Sequence, residues 1–142
     1  MKRRDFVKTT AAIASTTLLP NFISANTREE KLRTAHIGVG GMGGADLEAI
    51  SSHELVDVVA LCDVDSDRLA AAKKLHPNAK TFTDYRKMLN EIKDSIDAVI
   101  VSTPDHTHAP ASMMAMEMDK PVYCQKPLTH HVSEARAMAK LA

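Results

Sequence analysis

Five short apolar runs, at 32–37, 56–62, 81–82, 96–102 and 121–124, punctuate a chain whose intervening segments carry helical spacing. Runs of that length between turn residues predict strands. After Asp84, the residues Tyr85, Met88, Leu89 and Ile92 fall at i, i+3, i+4 and i+7, which is one face of a helix. Leu69, Ala72 and Leu75 repeat the pattern after Asp65 and Ser66, and Pro77 stops it, so this helix has a cap candidate and an end. A last segment, with Ser133 as its cap candidate, puts Ala135, Met138, Ala139 and Ala142 on one face. Strands alternating with helices predict a doubly wound parallel α/β sheet of Rossmann type, because parallel neighbours need crossover connections and these are right-handed. Ligands of such sheets bind beyond the carboxyl ends of the strands where the strand order reverses, here between the first and fourth strands. Residues just after Ile37 and Ser102 should face one cleft.

All five glycines of the chain lie between 38 and 44, directly after the first strand and before a helix. Gly38, Gly40 and Gly43 match G-x-G-x-x-G: the first for a tight turn, the second for approach of a pyrophosphate, the third for close helix packing. Gly41 and Met42, at the helix start, present N–H groups and the positive end of the helix dipole to a phosphate. Asp63 follows Gly43 by 20 residues at the end of the second strand. Its carboxylate can accept bonds from the adenosine ribose hydroxyls and would repel a 2′-phosphate. No cation follows before Arg68, so NAD is favoured over NADP.

Charge and leader refine the picture. The chain has 18 basic and 18 acidic side chains, and without its first 25 residues it has 14 and 17, a net charge of −3. That balance, with Phe82, Tyr85 and Tyr123 as the remaining aromatics, argues against nucleic-acid binding. Residues 1–25 combine a basic head, an apolar run over 9–19 and Pro20. The run is too short for a bilayer span of about 20 residues and reads as an export signal. Arg3 and Arg4, followed by Asp5, Phe6, Val7 and Lys8, resemble a bacterial twin-arginine signal, with Lys2 where Ser or Thr is usual. The expectation is recognition by the twin-arginine translocase and a periplasmic or otherwise exported protein, the alternative being a cytoplasmic one with a basic tail. Residues 26–31 form a linker and 32–142 one dinucleotide-binding domain.

Three segments in order, "GVGGMGG", "STPDHTHAPA" and "VYCQKPLTHHVSEA", resemble the glucose-fructose oxidoreductase, inositol dehydrogenase and rhizopine-catabolism family, Gfo/Idh/MocA. The resemblance implies that Ser102, Thr103, Pro104 and Asp105 line the nicotinamide side of the cofactor, with His108 at the start of the next helix. It matches the family's E-K-P to Gln125, Lys126 and Pro127. Lys126 is then the candidate catalytic residue, its amine assisting removal of a substrate hydroxyl proton during hydride transfer. Gln125 departs from the family's glutamate: it can still hydrogen-bond the nicotinamide ribose but has no charge with which to tune Lys126. Pro127 is a candidate for a cis bond.

Family members continue into a second, α+β domain that covers the nicotinamide and binds the sugar or polyol substrate. The chain ends in a helix before any such domain, so it is expected to be a truncated cofactor-binding half that turns over little by itself. The full-length protein is expected to be an oxidoreductase acting on a sugar or polyol, and a homo-oligomer. Two alternatives stand beside it: a glycoside lyase or hydrolase using NAD for transient oxidation, and a stand-alone dinucleotide-binding fragment without catalysis. Cys62 and Cys124 form no C-x-x-C pair and read as small hydrophobes. His106 with His108, and His130 with His131, lack a carboxylate or thiol at ligand spacing, so no metal is assigned. Met113, Met114, Met116 and Met118 read as packing against the sheet.

Overall fold

The computed structural model describes residues 30–142. The leader over 1–25 and most of the linker over 26–31 lie outside the described residues. Five parallel strands, β1 (Leu32–Ile37), β2 (Val56–Cys62), β3 (Lys80–Phe82), β4 (Ala98–Val101) and β5 (Val122–Cys124), form one sheet in the order β3-β2-β1-β4-β5. The order reverses between β1 and β4, as expected. Helices α1 (Met42–Ser51), α2 (Ser66–Leu75), α3 (Tyr85–Ile92), α4 (Asp105–Met116) and α5 (Val132–Leu141) supply the crossovers and the final segment.

The two faces of the sheet bury separate clusters. Ala35, Ile37, Val99 and Val101 meet Met88, Leu89 and Ile92 of α3 and Ala111 and Ala115 of α4, with Met114 and Met118 packed at the margin. On the other face Val58 and Leu61 meet Leu47 of α1 and Leu69 and Ala72 of α2. The β1–β2 register shifts between Thr34, opposite Val58, and Ala35, opposite Ala60, so Val59 is an extra residue. An extra residue reverses the in-out alternation, which is why Val58 and Leu61 share one face while Ala60 and Cys62 share the other.

Helix starts follow their caps. Asp65 accepts from the N–H groups of Asp67 (2.9 Å) and Arg68 (3.2 Å), and Asp84 accepts from that of Arg86 (2.9 Å). The final helix corrects the sequence expectation: His131, not Ser133, is its cap residue, and the Glu134 carboxylate reaches back to the His131 N–H at 2.9 Å. A glutamate three residues after the cap satisfies a donor that an uncapped start would leave open. The fourth strand is also shorter than the apolar run, because Asp97 turns its carboxylate onto the Arg33 guanidinium at 2.7 and 3.0 Å.

Two groups couple the sheet to acid. His36, 1% exposed in β1, is pushed down to about 4, chiefly by burial. Asp97 is held down at about 2 by hydrogen bonds from Arg33. In both cases the unfolded chain binds protons at a higher pH than the folded one, so stability falls on acidification. Urea-unfolding midpoints should therefore drop as pH falls from 6.5 toward 4 through His36, and again from 3.8 toward 2 through Asp97. His36→Gln should flatten the first limb and Asp97→Asn the second; an unchanged slope in either variant would count against its assignment.

Candidate dinucleotide site

The glycine loop leaves β1 and turns into α1 directly above the β1–β4 boundary. Gly38 has φ +83°, and a Cβ there would lie 2.6 Å from the Ser102 carbonyl oxygen; at Gly43 a Cβ would lie 2.2 Å from the Gly38 carbonyl oxygen. No side chain fits at either place. The loop is pinned by Gly38 N–H to Cys62 O at 2.8 Å and by Gly43 N–H to Gly40 O at 3.0 Å. The N–H groups of Gly40, Gly41 and Met42 have no partner among the described residues, and α1 has no side-chain cap. Donors left without a protein partner at the start of α1, together with the positive end of its dipole, suit a diphosphate.

Beneath them lies a cleft of about 560 Å³, bounded by Gly38 and Gly40, Asp63, Arg68, Tyr85, Thr103 and Pro104 among others. Asp63 stands where the sequence places it, at the end of β2. It is already engaged: Oδ2 accepts from Val39 N–H at 2.9 Å and Oδ1 from Asp65 N–H at 3.0 Å. A carboxylate has lone pairs to spare beyond two such bonds, so Asp63 both braces the glycine loop and keeps acceptor capacity for a ribose. Arg68, the first cation after β2, folds back across Gly40, where an added Cβ would fall 2.2 Å from its Cδ. Its Nε lies 3.4 Å from Asp65 Oδ2. On the far wall Arg86 grips Asp84 with two bonds of 2.9 Å and holds that carboxyl down at about 2.

The loop after β4 supplies the other side. Ser102 is buried, while Thr103 keeps a buried hydroxyl oxygen with no partner. Asp105 accepts from His106 N–H at 2.8 Å and faces His130 Nδ1 at 3.2 Å. His108 is 1% exposed, with Nδ1 at 2.7 Å from Pro127 O and Nε2 at 2.6 Å from Thr103 O. Both neighbours are carbonyls, so the ring nitrogen that carries the hydrogen donates to one of them. His108 therefore lies between the β4 and β5 loops, with one ring nitrogen against each.

Gln125 and Lys126 follow β5, and the Lys126–Pro127 bond is cis. Gln125 Oε1 accepts from Lys126 N–H at 2.7 Å, and Gln125 Nε2 donates to both carboxylate oxygens of Asp46, at 3.1 and 3.0 Å. Ser102 Oγ donates to Asp46 Oδ2 at 2.6 Å. The Lys126 side chain is exposed. Sequence reasoning missed Asp46, Arg68 as a wall of the cleft, and the Asp84–Tyr85–Arg86 wall. The one available signal for Asp46 was its carboxylate one turn past the last motif glycine. Among the described residues no cluster of His, Cys, Asp and Glu could hold a metal ion.

A doubly wound sheet with a glycine cradle at its switch point, an acidic residue closing β2 and unpartnered N–H groups at the start of α1 defines a dinucleotide-binding α/β domain. The chain belongs to the Gfo/Idh/MocA oxidoreductases: the description "Oxidoreductase family, NAD-binding Rossmann fold" matches residues 32–142, and the cofactor of the domain is NAD. A glycosyl hydrolase family 109 protein of Stenotrophomonas maltophilia is 38% identical over 135 residues, covering 88% of this chain and 29% of the relative. The crystal structure of myo-inositol 2-dehydrogenase from Lactobacillus plantarum superposes with a TM-score of 0.72 at 32% identity, covering 78% of this chain and 32% of the other. The WlbA dehydrogenase from Chromobacterium violaceum, solved with NADH and UDP-GlcNAcA, gives 0.70 at 25% identity over 80% of this chain and 32% of that one. The chain thus spans about 30% of the length of the relatives it matches.

Neighbouring glycines should respond oppositely to alanine. At Gly44 an added Cβ lies 3.3 Å from Val39 O, a contact that a small shift relieves, and it falls inside α1. Gly44→Ala should change stability by less than about 1 kcal/mol, whereas Gly43→Ala should cost about 3 kcal/mol and abolish measurable NAD binding. Urea unfolding and calorimetric NAD titration of both variants check this; equal behaviour would refute the close-approach reading.

Proposed function

We propose that the protein carrying this domain transfers hydride between NAD and a secondary alcohol of a sugar or polyol. The observation that carries the reading is the set of unpartnered N–H groups of Gly40, Gly41 and Met42 beside a cleft lined by Gly38, Gly40, Asp63 and Thr103. Bound NAD supplies the hydride chemistry. The glycine loop holds the diphosphate, Asp63 takes the adenosine ribose, and Ser102, Thr103, Pro104 and Asp105 form the nicotinamide side. Lys126 is the residue assigned to hold and move the proton of the substrate hydroxyl through its Nζ. The likeness to a myo-inositol 2-dehydrogenase supports a polyol as substrate.

A second reading has its own support. The 38% identical relative is a glycosyl hydrolase family 109 protein, so NAD in the present protein would serve a transient oxidation that ends in glycosidic cleavage. Product analysis on the full-length protein separates the two. Net NADH formation from a polyol supports the dehydrogenase, and release of a free sugar without net NADH supports the hydrolase. The same proposal includes export of the protein by the twin-arginine translocase, supported by Arg3 and Arg4 ahead of a short apolar run, and fractionation of producing cells tests it. It also includes a homo-oligomeric full-length protein, which light scattering measures.

Cofactor choice is the sharpest check on the site. Asp63→Ala should raise the Kd for NAD about tenfold or more, in line with loss of a charged hydrogen bond, and should weaken NADP less, because the carboxylate also repels a 2′-phosphate. Calorimetric titration of both cofactors reads the ratio. Equal losses would overturn the ribose assignment.

A further inference from the structure

The glutamine at 125 has a partner that explains it. Asp46 projects from α1, one turn after the glycine loop, and its carboxylate accepts from two donors at two other strand ends: Ser102 Oγ–H at 2.6 Å, and Gln125 Nε2–H shared between both oxygens at 3.0 and 3.1 Å. These residues are 56 and 79 positions away in the chain. The amide of Gln125 is thereby oriented, since its nitrogen faces a carboxylate that only accepts and its oxygen faces the Lys126 N–H, which only donates, at 2.7 Å. The direction of each bond is set by its end groups.

We propose that Asp46 is a positioning residue of the cofactor site, supplying from α1 the negative charge that the E-K-P pattern places at 125, and that its carboxylate is what requires an amide at 125. Resting on the NAD-binding reading above, the inference deepens it: one carboxylate ties the helix that follows the diphosphate loop to the β4 end and to the backbone of Lys126. A glutamate at 125 would bring two acceptor-only groups to about 3 Å, where like charges cannot both ionise. The contact would open, releasing the Lys126 N–H and the Ser102 hydroxyl together. Reversing the pair, with the amide at 46 and the carboxylate at 125, restores one donor facing one acceptor across the same gap. The Lys126 N–H then bonds to a carboxylate oxygen instead of an amide oxygen.

The test is a four-protein cycle on the full 142-residue chain: wild type, Asp46→Asn, Gln125→Glu and the double variant Asp46→Asn/Gln125→Glu. Each is titrated calorimetrically with NAD+ at pH 8 and at pH 5, and unfolded in urea without cofactor. Gln125→Glu is expected to weaken NAD+ about tenfold at pH 8 and to recover most of this at pH 5, where two facing carboxylates share a proton. The double variant is expected within about threefold of wild type at both values. His36, the other titratable group that feels Asp46, is held down at about 4 and would lie lower still without that charge, so it is neutral at pH 8 in all four proteins. The proposal is overturned if Gln125→Glu binds as wild type at pH 8, or if the double variant is as weak as Gln125→Glu. Should Gln125→Glu fail to fold, the double variant decides: folded and binding supports the pairing, unfolded or non-binding overturns it. Wild type that does not bind NAD+ overturns the functional reading and the positioning role with it, whereas a non-additive urea cycle in such a protein still reports the Asp46–Gln125 contact by itself.

Discussion

The first crossover helix has to begin within contact distance of two other stretches of backbone, and the rest of the site depends on that approach. Gly43 sits against the Gly38 carbonyl, and Gly38 against the carbonyl of Ser102 on the neighbouring strand. Only hydrogen on those Cα atoms lets the three segments converge. Once they do, the donors of the helix start are left without a protein partner, Asp63 can reach the Val39 N–H, and Asp46 comes within reach of Ser102. Backbone proximity, more than any single side chain, makes the cleft polar on one side and open on the other.

The parts of this arrangement that are local in sequence could be read from it. Apolar runs locate all five strands, Asp65 and Asp84 stand where caps are expected, and a glycine cluster after a strand announces a phosphate cradle because turn and donors lie within one short segment. Asp63 follows for the same reason. What could not be read depends on registry and reach. The extra residue at Val59 is invisible in a run that is apolar on both faces. The His131 start of α5 turns on a glutamate reaching backward, and a histidine cap has none of the usual signal of Ser or Asp. Arg68 lying across Gly40, His108 between Thr103 and Pro127, and Asp46 beneath Gln125 all join segments whose adjacency exists only after the sheet is assembled.

The two sides of the cleft are built differently. Around the end of β2 and the start of α3, charges are paired within short stretches: Asp65 with Arg68, Asp84 with Arg86. These pairs are exposed, and such pairs add little to stability, so they define the electrostatics of the wall without stiffening it. Around the ends of β4 and β5, bonds cross the fold. His108 connects the β4 and β5 loops and Asp46 connects both strands to α1, in partly or fully buried surroundings where each bond is harder to replace with water.

Cys62 shows what the same close packing does to a reactive atom. Its thiol lies under the sheet at the end of β2 with 3% exposure, and burial together with the Asp63 charge pushes it up to about 12. At neutral pH such a thiol carries very little of the thiolate, the form that attacks disulfides and reacts with oxidants. The sulfur therefore serves to fill space at this strand end, and close packing withholds it from reaction.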